Sequence, residues 1–233
     1  MPTSITRYTD YIAIVDGPRY AMGHIAIDDD TITQIQGSGL VIFKNVFEPE
    51  FLTGLRKAIT HHDYKHHDYA MNEQGLLHNF SRYDDLLHRE RRACKNTSYC
   101  MFHWNDDTPQ TVDTVRQALT EFGNRIALRP PEARQNIDDD KIGTVIGAHY
   151  PPGGCLLSHH FSDDVVGVRD ETFDEMILLF STYGRDYTEG GLYVAPRLKM
   201  SERDDPSNYG DLLFIEDQIG AGDLIAFTIK DVY

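Results

Sequence analysis

Cysteine is scarce in this chain. There are three, Cys94, Cys100 and Cys155, an odd number with no CxxC spacing. Neither a disulfide framework nor a thiolate zinc site is indicated, and free thiols are the expectation. Basic charge is also short, with 22 Lys and Arg against 37 Asp and Glu and a formal net charge of -15. A surface of that sign repels nucleic-acid backbones and anionic membranes, and no basic stripe offsets it, so neither is expected as the main partner. No apolar run is long enough to cross a bilayer, and the opening MPTSITRYTD lacks the charged-then-apolar layout of a secretory signal. A cytoplasmic protein is therefore expected. Repeats of solenoid length are absent as well.

What is present is enough for one sizeable core. A chain of 233 residues with 40% hydrophobic content falls in the range of a single large mixed or β domain, so residues 1–233 are read as one unit. Residues 8–46 contain short extended pieces, YIAIVD, GHIAI and GLVIFKNV, rich in β-branched residues and punctuated by Gly and Asp. Helices follow. In EPEFLTGLRKAIT, Pro49 suits a first helical turn, and Phe51, Leu52, Leu55 and Ile59 share one face. Ser81 is a candidate cap for a helix over RYDDLLHRERRACK. The strongest helical period runs through Val112, Val115, Leu119, Phe122 and Ile126, with Thr108 as cap and Pro109 opening the helix. IDDDT and IDDDK read as solvated turns.

From Ile142 onward the pattern changes to strands and turns: IGTVIGAHY, EMILLFSTY, GGLYVAP, DLLFI and GDLIAFTI, separated by Gly, Pro and Asp clusters. The expected fold class is α+β, with helices packed outside a β-sandwich or small jelly roll. In that arrangement residues 1–140 supply strands and helices covering a barrel, and 141–233 supply its core.

Three strings in this second half, HYPPGGCLLSHH, MILLFSTYGRDYTEGGLYV and GAGDLIAFTIKDVY, resemble in order and spacing the double-stranded β-helix of the iron(II)- and 2-oxoglutarate-dependent oxygenases. The resemblance covers roughly the last 90 residues and is nearest to the branch of prolyl hydroxylases and free amino acid hydroxylases and halogenases. It implies iron(II) and 2-oxoglutarate as cofactors, dioxygen as co-substrate, and a small polar substrate such as a free amino acid or natural-product intermediate. An iron that must bind a bidentate 2-oxo acid and then dioxygen leaves the protein only one face, usually two histidines and a carboxylate. The first histidine and the carboxylate normally stand two residues apart, on one side of a strand.

SHHFSDD, residues 158–164, departs from that spacing. Counted from Tyr150 and Pro151, the first ligand is His159, but Phe161 stands two residues beyond it. Counted from His160, Ser162 stands there. A carboxylate ligand therefore requires a bulge that brings Asp163 back to the metal. The favoured set is His160 with Asp163, and His159 is the rival first ligand. An empty position at Ser162 is the alternative, since the halogenase branch replaces the carboxylate by a small residue and seats chloride there. The resemblance also puts a distal histidine and a basic 2-oxoglutarate anchor just after Tyr233. The working protein is thus expected to extend further, and a chain ending there to be no oxygenase, its last strand leaving an inner sheet with an unprotected edge.

Four other features bear on the site. His149 and Tyr150 precede the motif, alternation turns only one of them inward, and Tyr150 is the candidate contact to 2-oxoglutarate. Arg185 is either a rim residue for an acidic group or a surface charge. Trp104, the only tryptophan, is most simply a core or lid residue, but its place in the half that covers the barrel mouth in this family makes it the substrate-contact candidate. His62 and His66 have helical chelating spacing but no third ligand follows, so a solvated or substrate-facing helix end is the simpler reading. The remaining alternatives are a protein side-chain hydroxylase and a β-helix module that has lost its metal. The oligomeric state is left open.

Overall fold

The computed structural model describes residues 3–9, 11–62, 70–71, 77–78, 82–85, 93–94, 96–101, 108–135, 145–150, 152, 155–156, 173, 175–188, 191–194 and 213–228. In chain order the elements are β1 (Ser4–Arg7), β2 (Ile12–Asp16), β3 (Tyr20–Ala21), β4 (His24–Ile25), α1 (Asp29–Ile35), β5 (Leu40–Lys44), α2 (Pro49–Thr60), β6 (Ala70–Met71), β7 (Leu77–His78), β8 (Arg82–Asp85), β9 (Ala93–Cys94), β10 (Asn96–Met101), α3 (Gln110–Ile126), β11 (Val145–His149), β12 (Cys155–Leu156), β13 (Glu175–Leu178), β14 (Tyr193–Val194), β15 (Leu213–Phe214) and β16 (Leu224–Phe227). This is a mixed α/β chain compatible with the expected α+β class. It divides into two compact units: Met1–Leu52 with Phe122–Pro130 and His160–Tyr233, and Thr53–Glu121 with Pro131–His159.

The first unit is built on a five-stranded mixed sheet in the order β1-β2-β5-β16-β13. β2 and β5 pair in parallel, which requires a crossover, and α1 lies between them in sequence. The other neighbours pair antiparallel. Register sets Ile14, Ile42, Ile225 and Ile177 in one cross-strand row. Ile42 and Ile225 belong to a core with Ile12, Leu40, Ile215 and Ile219, and Ile14 and Ile177 pack against it. The alternate positions Ala13, Val15, Val41, Phe43, Leu224 and Ala226 are also buried, and Phe43 meets Phe122 edge-on at 4.9 Å. Burial on both faces explains why these strands read as continuous apolar runs rather than alternating ones. β16 lies between β5 and β13.

The IDDDT stretch is not a turn. Asp28 is extended (φ -89, ψ 158) and caps α1, accepting from the Thr31 N–H at 2.7 Å, with Asp29 and Asp30 in the first turn and Thr31, Ile32 and Ile35 buried. That N–H, with hydroxyls of Thr3 and Thr31, holds the Asp28 carboxyl below its ordinary range. The signals were present in the sequence: an Asp cap, acids in the first turn, and isoleucines three apart.

α2 begins at Pro49, with Leu52, Leu55 and Ile59 buried as the periodicity predicts. α3 buries Val112, Val115, Phe122 and Ile126, with Ala118 buried in place of the half-buried Leu119. One ridge of α3 was not foreseen. Arg116, Thr120 and Asn124, four residues apart, are all buried although polar.

In the second unit, β10 pairs antiparallel with β8 and β11, and short ladders join β9 to β12 and β6 to β7. The helix expected after Ser81 is overturned at Arg82–Asp85, a strand in register with Asn96–Tyr99. Pairing with a neighbouring strand outweighs a weak helical pattern here, because the capping and charge signals of RYDD contribute only tenths of a kcal/mol to about 1 kcal/mol each. Among the described helices none is long and apolar enough to cross a membrane.

Candidate functional site

The turn GAGD, residues 220–223, opens the strand of the third motif, and the chain around it is tied down by hydrogen bonds. Asp223 is 1% exposed. Its Oδ1 accepts from the Asn45 N–H at 2.6 Å and its Oδ2 from the Gly220 N–H at 2.8 Å, while Lys44 Nζ forms an ion pair with the same carboxylate. Lys44 Nζ also donates to the Gln218 carbonyl at 2.7 Å. The Gly222 N–H donates to Leu179 O, and the Phe47 N–H donates to Gly222 O. Asp223 thereby fastens the end of β5 to the start of β16, and Gly222 adds the segment after β13. The geometry gives Asp223 a structural task, since its polar atoms are used within the fold.

In the second motif, MILLFSTYGRDYTEGGLYV, the chain leaves β13 and makes a tight turn. Asp186 Oδ2 accepts from the Thr182 N–H at 2.8 Å, and the Asp186 N–H donates to Thr182 O at 2.9 Å. Thr182 Oγ1 in turn accepts from the Ala221 N–H, joining this turn to GAGD. Arg185 is 65% exposed in its side chain and donates both Nε and Nη2 to Asp186 Oδ2, at 3.1 and 2.7 Å. That hydrogen bond, with the charge of Asp186, raises the guanidinium pKa.

Tyr183 and Tyr187 meet edge-on at 5.6 Å. Burial first, then the charge of Glu216, raises the Tyr187 pKa. Glu216 Oε2 is buried without a hydrogen-bond partner among the described residues. Its side chain lies against Gly191 (φ +148), where a Cβ would come within 3.1 Å of Glu216 Cβ. This gives the second glycine of EGG a packing reason.

Of the residues singled out in the sequence, Tyr150 belongs to the second unit and Arg185 to the first. β11 ends at His149, and His149 and Tyr150 are both exposed, Tyr150 at 38%. Alternation therefore does not select between them. His159, His160, Asp163, Ser162, Trp104 and His66 lie outside the described residues. Among the described residues no group of three or more His, Cys, Asp or Glu side chains could hold a metal ion.

Sequence reading passed over Arg116. Its Nε donates to Asp113 at 2.8 Å, and its Nη1 is buried with no partner among the described residues. The signal available was its position: Arg116 follows Val112 by four residues, inside the apolar stripe rather than beside it. Comparison of the chain with protein families, curated proteins and solved structures returns no match.

Proposed function

We propose that this protein is an iron(II)- and 2-oxoglutarate-dependent oxygenase that hydroxylates an unactivated C–H bond of a small polar substrate, such as a free amino acid or a natural-product intermediate. The observation that carries the reading is the order of three motifs along one chain: a Tyr-Pro and double glycine before paired histidines, an EGGLYV strand, and a GDLIAF strand. The finer fold in this reading is a double-stranded β-helix. The strands β13, β14 and β16 fall in the second and third motifs.

The donor chemistry of SHHFSDD suits ferrous iron, since imidazole and carboxylate together bind it and leave positions open. His160 and Asp163 would hold the metal, with His159 as the rival ligand. When bound, iron with 2-oxoglutarate supplies oxidation by dioxygen, with succinate and carbon dioxide as co-products. Tyr150 would donate its phenol to a carboxylate of 2-oxoglutarate. Arg185 would have to exchange Asp186 for any such role. Trp104 would pack against the substrate and restrict its orientation, which is the contribution that a held C–H bond needs most.

Histidine replacement tests the ligand frame directly. Full-length wild-type protein is expected to take up one equivalent of iron(II) and to be stabilised by it. His160→Ala should lose that uptake while His159→Ala retains it. If only His159→Ala loses iron, the frame shifts by one residue. A wild type that takes up none is a non-catalytic β-helix module and ends the proposal. Ser162 favours a second reading, halogenation with chloride at the vacant ligand position. Chlorinated product, retained in Asp163→Ala, would establish that reading in place of hydroxylation.

A further inference from the structure

We propose that Cys94 and Cys155 are a redox-active pair that closes a reversible disulfide within the second unit. β9 and β12 are antiparallel, and their register sets Cys155 opposite Cys94 and Leu156 opposite Ala93. Residues directly opposite in an antiparallel ladder have Cα atoms about 4.5 to 5.5 Å apart and share a face of the sheet. A disulfide accepts Cα separations of about 4.4 to 6.8 Å. The ladder therefore meets the backbone requirement without movement of either strand. Cys100 does not compete on this ground, because its partner across the ladder from β10 to β11 is Ile146.

Sequence spacing alone predicts three free thiols, and the proposal makes two of them a pair that can oxidise. The oxidant is a low-molecular-weight disulfide. One cysteine thiolate attacks it and expels a thiol, leaving a mixed disulfide. The opposite cysteine thiolate then attacks the protein sulfur of that bond and expels the second thiol. Two protein thiols lose two protons and two electrons, and the oxidant leaves as two thiols. The bridge joins segments far apart in the sequence, and Cys155 stands just before the SHHFSDD stretch. Its closure would fix the strand that leads into those histidines. The inference needs neither iron nor 2-oxoglutarate and does not depend on the oxygenase reading.

The full chain should be incubated with oxidised glutathione, alkylated, and analysed by peptide mass spectrometry without reduction. The expected result is a peptide linking Cys94 to Cys155, with Cys100 alkylated, an intact mass lower by two hydrogen atoms, and reversal by dithiothreitol. Cys94→Ser and Cys155→Ser should each reduce intrachain linkage at least tenfold. Three alkylated thiols in oxidant-treated wild type would overturn the proposal. So would links to Cys100 as abundant as the Cys94–Cys155 link. The wild-type arm decides alone should either variant fail to fold.

Discussion

Asp223→Ala is expected to destabilise the first unit by about 3 kcal/mol, read as a lower urea midpoint with an unchanged slope. The reason is what the carboxylate leaves behind. The Asn45 and Gly220 N–H groups lose their acceptor, and the Lys44 ammonium, whose side chain is 27% exposed, loses its counter-charge. An unmade hydrogen bond at a buried donor costs about 1 to 3 kcal/mol, and breaking a buried ion pair from one side costs about 3 to 5 kcal/mol. The partial exposure of Lys44 puts the estimate at the low end. Lys44→Met should cost less, because Asp223 keeps its two backbone donors. The double variant should cost less than the sum of the two, as expected for groups in one network. A loss below about 0.5 kcal/mol for Asp223→Ala would mean that the network is not holding the strands together.

Gly222→Ala should be comparably damaging for a different reason. Gly222 sits at φ +95, where a side chain is strained, and a Cβ there would press on the Phe47 carbonyl oxygen, closer than any real Cβ contact. That carbonyl cannot move aside cheaply, because the neighbouring Phe47 N–H is bonded to Gly222 O at 3.0 Å. Backbone strain of about 1 to 3 kcal/mol combines with overpacking of about 1 to 3 kcal/mol, for an expected loss of about 2 to 4 kcal/mol. Thermal unfolding of the alanine variant checks it. An unchanged midpoint would contradict the close approach of the two backbone segments.

These two positions also indicate what a sequence yields. GAGDLIAF was legible as a motif, but its physical role was not: the acid and the glycine fasten β5 to β16, across a separation of well over a hundred residues that no local pattern encodes. The apolar runs around Ile12, Ile42 and Ile225 were legible as strands because burial on both faces leaves a continuous signal. Their assembly into one mixed sheet was not, since pairing partners are set by long-range packing. RYDD misled because local helix preference is a weak prior against strand pairing, and IDDDT because an acid run reads equally well as a turn or as a capped helix start. At the candidate site the sequence supplied residue types, His159, His160, Asp163 and Trp104, all outside the described residues. Arg116 escaped notice because a charged residue is assumed to face water, whereas it is 6% exposed.

The oxygenase reading is tested most directly by following 2-oxoglutarate consumption and succinate formation in purified, full-length, iron(II)-loaded protein under air, across a panel of free amino acids. The account predicts stoichiometric turnover with at least one of them, dependent on added iron and abolished by His160→Ala. Wild-type protein that binds iron(II) but forms no succinate above the iron-only background, with any member of the panel or without substrate, would contradict it.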